Sequence, residues 1–153
     1  MRVIIDRART VNLDEFLGRP LFAHLSTASA DGPRDSPLWF LWEEKAVWMI
    51  AEDETNTFHQ RLRDEPRCAI GIVDFDGRNG KVQHVGIRGK AEVVEFDAER
   101  ARRLYRKYLG PNEDRWAKRF RSGLENSKGF SLVKVVPRTV VARDVSYAVP
   151  DGS

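Results

Sequence analysis

Three polar residues, Thr55, Asn56 and Thr57, stand where a short helix over residues 55–65 is predicted to begin, with Thr55 or Asn56 as its cap. Hydroxyl and amide groups beside the free backbone N–H groups of a helix N-terminus can bind a phosphate or another anion. Arg61, one turn further along, can add a positive charge. The same residues also suit an ordinary helix cap followed by a solvated arginine. The segment is therefore a candidate anion site with a purely structural alternative.

Aromatic residues cluster in a second stretch, where Trp39, Phe40 and Trp42 lie close together and Trp48 is nearby. Neighbouring side chains of a strand point to opposite faces, so at least one of Trp39 and Phe40 belongs to the core. The other can line a pocket for a flat ring or a subunit interface, where aromatic residues are enriched. Core packing explains either residue taken alone.

A third candidate is the polar face of a predicted strand, which carries His84 and Arg88 with Gly86 between them. A glycine in a strand permits close approach by a ligand or by a second subunit. A polar strand face exposed to water is the alternative interpretation.

Motifs of the common enzyme classes are missing, since the sequence has no GxSxG, HExxH, CxxC, Walker or GxGxxG pattern. The three histidines, His24, His59 and His84, lie far apart on different predicted elements, so their spacing predicts no metal site. Cys68 lies in a predicted buried strand and is interpreted as a small core residue. No catalytic residue is assigned.

The composition is that of a globular chain, with 41% of the 153 residues hydrophobic and 32% charged. Basic and acidic residues alternate and leave a net charge of +3, which favours a solvated surface over a nucleic-acid footprint. No apolar run approaches the roughly 20 residues of a membrane-spanning helix, and the apolar patch near the N-terminus is too short for a signal peptide. One cysteine allows no internal disulfide. We therefore expect a single cytoplasmic domain over residues 1–153.

Tight turns at Asp31-Gly32 and at residues 43–46 separate the first predicted strands, and a short helix near residues 13–17 precedes them. The predicted strands cover residues 21–29, 35–42, 47–52, 67–75, 82–96 and 130–146. The strand over residues 67–75 is a nearly continuous apolar run, which is typical of burial on both faces. A helix capped by Asp97 and another beginning near Asn112 form a helical insert over about residues 97–122. This pattern indicates an antiparallel barrel with helical additions.

In this order the segments resemble the pyridoxamine 5′-phosphate oxidase-like, FMN-binding split barrels. The resemblance rests on the turn Asp31-Gly32-Pro33, the stretches SPLWFLW, VWMIA and TNT, the segment LRDEPRCAIGIVD, and the strand ending in Arg88-Gly89-Lys90-Ala91-Glu92. It covers about residues 16–145. It implies a mainly β fold, namely a six-stranded antiparallel Greek-key split barrel with short helices. It also implies a homodimer with its cofactor sites at the subunit interface.

The resemblance further implies which residues meet the cofactor. The backbone of Ser36, Pro37, Leu38, Trp39 and Phe40 would run along the isoalloxazine ring of FMN. Thr55, Asn56 and Thr57 would receive its phosphate. His84, together with Gln83, would meet the cofactor from the other subunit.

This sequence departs from the family pattern at two places. The family often has a lysine in the first turn of the short helix, where Phe58 stands here; Arg61 is the candidate substitute, although its position is not equivalent. The C-terminus lacks the Arg and His arrangement by which the true oxidase holds its pyridoxal substrate. Oxidation of vitamin B6 is therefore not predicted.

The leading functional hypothesis is an FMN-dependent oxidoreductase whose small-molecule substrate the sequence does not identify. The cofactor supplies the hydride or electron chemistry, so the protein needs no acid, base or nucleophile of its own. One alternative is a deazaflavin-dependent reductase on the same fold. Another is a non-catalytic protein that binds a flavin or a small molecule.

Overall fold

The computed structural model describes residues 1–6 and 11–151. Within these ranges the backbone forms eight strands and four α-helices. The strands are β1 Arg2–Asp6, β2 Ala23–Thr27, β3 Arg34–Leu38, β4 Leu41–Glu43, β5 Ala46–Glu52, β6 Arg67–Asp76, β7 Lys81–Glu95 and β8 Phe130–Asp144. The helices are α1 Leu13–Gly18, α2 Phe58–Asp64, α3 Ala98–Leu109 and α4 Lys118–Glu125, with a 3₁₀ helix Glu113–Arg115 before α4.

The described strands form one sheet in the order β3-β2-β6-β7-β8-β5-β4, and β1 pairs with β8 outside this path. β1 and β8 are parallel, and the other described pairs are antiparallel. β7 and β8 pair over most of their length, from Gln83 opposite Asp144 to Glu95 opposite Ser131. β6 continues the sheet from the first part of β7, and β5 continues it from the first part of β8. The fold is an antiparallel split barrel with short helices, as predicted.

The eight strands correspond to the six predicted ones with two differences. β1 was not predicted. The strand expected over residues 35–42 is two strands, because β3 pairs with β2 whereas β4 pairs with β5. Between them the Trp39 ring stacks on Tyr108 of α3, and Phe40 turns inward and is fully buried. Because these two side chains pack in different places, the strand is interrupted between β3 and β4.

The expectation that β6 is buried on both faces is wrong. Ile70 and Ile72 are buried, whereas Val73 and Phe75 are 53% and 65% exposed. The strand alternates like any strand with one face on the core. Its apolar outer face is a surface feature that the sequence pattern did not distinguish from a second buried face.

The helical segment between β7 and β8 begins as the sequence predicted. Asp97 caps α3 by accepting hydrogen bonds from the backbone N–H groups of Glu99 and Arg100. The helix ends at Gly110, whose φ of 90° suits glycine. Asn112, however, caps only the 3₁₀ helix, and α4 begins later, at Lys118.

α2 begins at Phe58, three residues later than expected. Thr57 is its N-cap residue but makes no capping hydrogen bond with its side chain. Neither Thr55 nor Asn56 caps the helix, because both belong to the loop that precedes it. Among the described helices, none combines the length and the hydropathy needed to cross a bilayer.

Candidate functional site

A small pocket lies between β3 and the loop that leads into α2. Its volume is about 250 Å³. We call it the polar pocket; its lining consists of Arg34, Asp35, Ser36, Pro37, Leu38, Thr55, Asn56, Thr57, Phe58 and Arg61. Seven of the predicted site residues meet here: Ser36, Pro37, Leu38, Thr55, Asn56, Thr57 and Arg61.

Hydroxyl groups hold the guanidinium of Arg61 in the polar pocket. Its Nε donates to Thr27 Oγ1 at 2.8 Å and its Nη1 to Thr57 Oγ1 at 2.7 Å. Its Nη2 lies 3.5 Å from Ser36 Oγ. Within the described residues no carboxylate lies within ion-pair distance of Arg61. The charge of Arg61 is therefore fixed in position and left without a counter-charge.

A second arginine strengthens the positive character of this pocket. Burial lowers the pKa of Arg61, and the nearby charge of Arg34 lowers it further. Asp35, the carboxylate of the lining, is instead 3.2 Å from His24 Nδ1. Two arginines that disfavour each other would both gain from a bound anion.

The polar residues before α2 hold the loop as well as lining the pocket. The Thr55 hydroxyl donates to Glu52 Oε2 at 3.2 Å, and Asn56 Oδ1 accepts from the backbone N–H of Glu52 at 2.9 Å. These bonds tie the loop to the end of β5. Within the described part of the chain, no partner bonds the side-chain NH₂ group of Asn56, which is therefore free to donate to a ligand.

A larger apolar groove of about 500 Å³ adjoins the polar pocket and shares Pro37, Leu38 and Asn56 with it. We call it the aromatic groove; its other lining residues are Phe22, Trp39, Ile50, Glu52, Leu104, Tyr105, Arg119, Phe120 and Phe130. Trp39 stacks on Tyr108 at 4.7 Å between ring centroids and on Phe120 at 5.6 Å. The two cavities together offer a cationic end and a flat apolar end.

The structure does not bring Phe40 to either cavity. Its side chain is fully buried in the core. Its backbone N–H donates to the Tyr108 hydroxyl at 3.0 Å, and its carbonyl oxygen accepts from Lys107 Nζ at 2.9 Å. Both backbone groups are thus engaged inside the molecule, which is why Phe40 is unavailable to a ligand.

Gln83 and His84 lie on β7, outside the lining of both cavities. The Gln83 amide accepts from Arg19 Nη1 at 3.1 Å and donates to Asp144 Oδ2 at 3.1 Å. His84 is half-buried, and burial followed by the charge of Arg143 lowers its pKa. Any contact of these two residues with a ligand in the cavities would have to come from a second subunit.

Some lining residues were missed in the sequence. Arg34 lies two positions before Ser36 and so shares its strand face, and it is directly opposite Thr27 on β2. The alternation of side chains along the strand was the signal for Arg34. The pairing of the two strands across the Asp31-Gly32 turn was the signal for Thr27. Tyr105 and Phe120 were not identified as site residues, since nothing in the sequence relates α3 and α4 to β3.

Groups of metal-binding type do not converge among the described residues, where no cluster of three or more His, Cys, Asp or Glu side chains occurs. Cys68 is partly buried, and burial raises the pKa of its thiol to about 11. The thiol is therefore protonated at neutral pH, as expected for a packing residue.

Solved structures that share this fold include the following three. A conserved hypothetical protein of Mycobacterium tuberculosis is 19% identical, with a TM-score of 0.72 and 94% of each chain covered. A protein described as an F420 reductase is 21% identical, with a TM-score of 0.63, covering 85% of this chain and 96% of its own. An FAD-binding protein of Mesorhizobium loti is 13% identical, with a TM-score of 0.62, covering 90% and 98%.

Curated proteins gave no match to this chain. The family profile described as pyridoxamine 5′-phosphate oxidase matches residues 10–143, which include both cavities and every strand from β2 to β7. By this match the chain belongs to the pyridoxamine 5′-phosphate oxidase family.

Proposed function

We propose that the protein is a flavin-dependent oxidoreductase that binds FMN, with the phosphate in the polar pocket and the ring system in the aromatic groove. One observation carries the proposal: a pocket with two arginines shares Pro37, Leu38 and Asn56 with a groove that is lined by aromatic residues. FMN has the matching shape, since its phosphate and its flat ring lie at opposite ends. The flavin-type relatives of the same fold support this choice.

Arg61 would be the main phosphate ligand. Its guanidinium is already positioned by Thr27 and Thr57, so little conformational entropy is lost when a phosphate binds. Arg34, the Ser36 hydroxyl and the Asn56 amide line the same pocket and can complete the shell of donors. The lysine that the family often has at the position of Phe58 is not needed, because the two arginines supply the charge.

The ring system would lie against the wall formed by Pro37 and Leu38. Bound there, the cofactor supplies the hydride or electron transfer. Pro37 and Leu38 orient the ring, and the stack of Trp39, Tyr108 and Phe120 excludes water from the groove. Consistent with this division of labour, no acid, base or nucleophile is assigned to the protein.

We also propose a homodimer that covers the outer face of β6 and β7. On this face His84 lies directly opposite the exposed Val73, and Gly71 lies opposite Gly86. Exposed apolar side chains beside glycines favour close packing against another protein surface. Such a dimer would bring His84 of each subunit toward the other subunit's cavities.

A deazaflavin is the second candidate cofactor. It is favoured by the fold shared with an F420 reductase and by the buried Phe58 at the position of the family's lysine. A carrier or sensor that binds a flavin without turnover is the third possibility.

The test is an absorption titration of the purified protein with FMN, riboflavin and a deazaflavin. We expect FMN to be retained at one per subunit, and riboflavin, which lacks the phosphate, to bind at least about tenfold more weakly. Arg61→Gln should weaken FMN binding about 10- to 100-fold and leave riboflavin binding nearly unchanged. Arg63→Gln, on the exposed side of α2, is the matched control and should bind FMN like the wild type.

Three results would change the proposal. Retention of the deazaflavin but not FMN would make the protein a deazaflavin enzyme. Retention of neither would remove the cofactor assignment. Bound FMN that NADH and NADPH fail to reduce would favour the non-catalytic alternative.

A further inference from the structure

One wall of the aromatic groove carries a hydroxyl group without a partner. Tyr105 of α3 lines the groove and is 7% exposed. Its ring is held 5.1 Å from Phe120 and 6.0 Å from Trp116, measured between centroids. Within the described residues its hydroxyl makes no hydrogen bond, although Tyr108 one turn later makes several. Since the hydroxyl has no partner among the described residues, it is available to donate a hydrogen bond to a ligand in the groove.

A guanidinium group stands on the same wall. Arg119 of α4 lines the groove, and its Cζ lies 4.7 Å from the centroid of the Phe120 ring. It forms no ion pair with any described carboxylate. A planar guanidinium is well matched to a carboxylate, which it can bind with two parallel hydrogen bonds.

Two charged residues of the groove lining, Glu52 and Arg119, influence the Tyr105 hydroxyl. Burial raises the pKa of Tyr105, the charge of Glu52 raises it further, and the charge of Arg119 acts in the opposite direction. The hydroxyl is therefore protonated at neutral pH and can donate a hydrogen bond. Glu52, Tyr105 and Arg119 all line the groove.

We propose that this wall binds the carboxylate of a planar, conjugated substrate. Arg119 pairs with the carboxylate, Tyr105 donates to one of its oxygens, and the rings of Trp39 and Phe120 pack against the flat body. This inference rests on the proposed function, which assigns the part of the groove at Pro37 and Leu38 to the cofactor ring.

The test is calorimetric titration with 2-naphthoate, its neutral methyl ester and 2-naphthyl phosphate as probes. The wild-type protein, with and without FMN, should bind 2-naphthoate about tenfold more tightly than the ester. Arg119→Gln should abolish that preference, Arg119→Lys should restore part of it, and Tyr105→Phe should reduce it severalfold. Arg115→Gln, an exposed arginine outside the groove, is the control and should keep it.

Failure of this inference can be separated from failure of the cofactor proposal. Arg61→Gln, at a residue outside the aromatic groove, should bind FMN about 10- to 100-fold more weakly and keep its preference for 2-naphthoate, whereas Arg119→Gln should lose that preference. Equal affinity for acid and ester, or equal effects of Arg119→Gln and Arg115→Gln, would overturn the inference. Tighter binding of 2-naphthyl phosphate than of 2-naphthoate would overturn the assignment to a carboxylate.

Discussion

The amine of Lys107 lies 3.4 Å from the centroid of the Phe40 ring and 2.9 Å from the Phe40 carbonyl oxygen. It also donates to the carbonyl oxygen of Leu17 at 2.9 Å. One side chain of α3 thereby connects α1 with the junction between β3 and β4. Burial lowers the pKa of this lysine from 10.5 to about 7. The two N–H groups of a neutral amine match the two carbonyl oxygens.

The free energy of unfolding should therefore rise with pH above neutrality. Between pH 7 and about 10 the unfolded chain binds a proton at Lys107 that the folded chain has released, so raising the pH favours folding, by at most about 1.4 kcal/mol per pH unit. Lys107→Met should remove this contribution and also cost about 1–3 kcal/mol, since two carbonyl groups lose their donor. Urea denaturation at several pH values measures both effects. Lys118→Met, at an exposed position, is the control, and a slope unchanged in Lys107→Met would contradict the prediction.

Tyr108→Phe should destabilise the protein without disturbing the aromatic stack. The Tyr108 hydroxyl donates to the Leu21 carbonyl oxygen at 2.6 Å and accepts from the Phe40 N–H at 3.0 Å. Removing it leaves two largely buried backbone groups unpaired, which we expect to cost about 1–3 kcal/mol. Chemical denaturation would show the loss, and Tyr147→Phe, at an exposed tyrosine, should show none. Equal stability of the two variants would mean that water replaces the hydroxyl.

Gly89→Ala should be far more damaging than Gly71→Ala, although both glycines lie in long strands. A Cβ on Gly89 would lie 2.3 Å from the Val136 carbonyl oxygen, at the irregularity in the β7–β8 pairing. A Cβ on Gly71 would meet only His84 Nε2, at 4.0 Å. We expect a loss above about 2 kcal/mol for the first variant and under about 1 kcal/mol for the second. Thermal unfolding of both compares them directly, and similar melting temperatures would show that the β7–β8 ladder adapts to the extra carbon.

The proposed dimer should dissociate when charge is placed on the outer face of β6. Val73→Glu combined with Phe75→Glu introduces two carboxylates on this face. In a single chain Val73 is 53% exposed and Phe75 is 65% exposed. Sedimentation velocity should show a dimer for the wild type and a monomer for the double variant, which should also bind FMN more weakly. Val136→Glu, on an exposed residue of β8, is the comparison. A monomeric wild type would disprove the proposed dimer.

The sequence predicted what depends on local pattern. The turn at Gly32 and the cap at Asp97 follow from the chemistry of single residues, and the structure has both. The predictions from the sequence failed where the structure depends on packing between segments that are distant along the chain. Nothing near Phe40 in the sequence indicates that Lys107 and Tyr108 occupy its backbone, and nothing near Phe75 indicates that its side chain is exposed.

The same holds for the candidate site, where the sequence indicated some of the residues but not how they act together. The residues around Thr57 were identified from their types, but their roles depend on Arg61, which reaches Thr27 and Ser36 from another element. Arg119 was not considered, because it approaches β3 only through the packing of α4. Side chains that act together across elements need the fold before they can be recognised.

β3 and β4 are the two ends of the strand order, yet only Trp39 and Phe40 separate them along the chain. The backbone itself therefore bridges the open edge of the barrel, because the Cα atoms of Leu38 and Leu41, three residues apart, can be separated by no more than about 11 Å. At this point β3 and β4 cannot move further apart, whatever the motion of the rest of the sheet. Pro37, Leu38 and Trp39 lie at this covalent connection and also line the groove. A ligand in the groove therefore contacts a part of the barrel whose opening the chain itself limits.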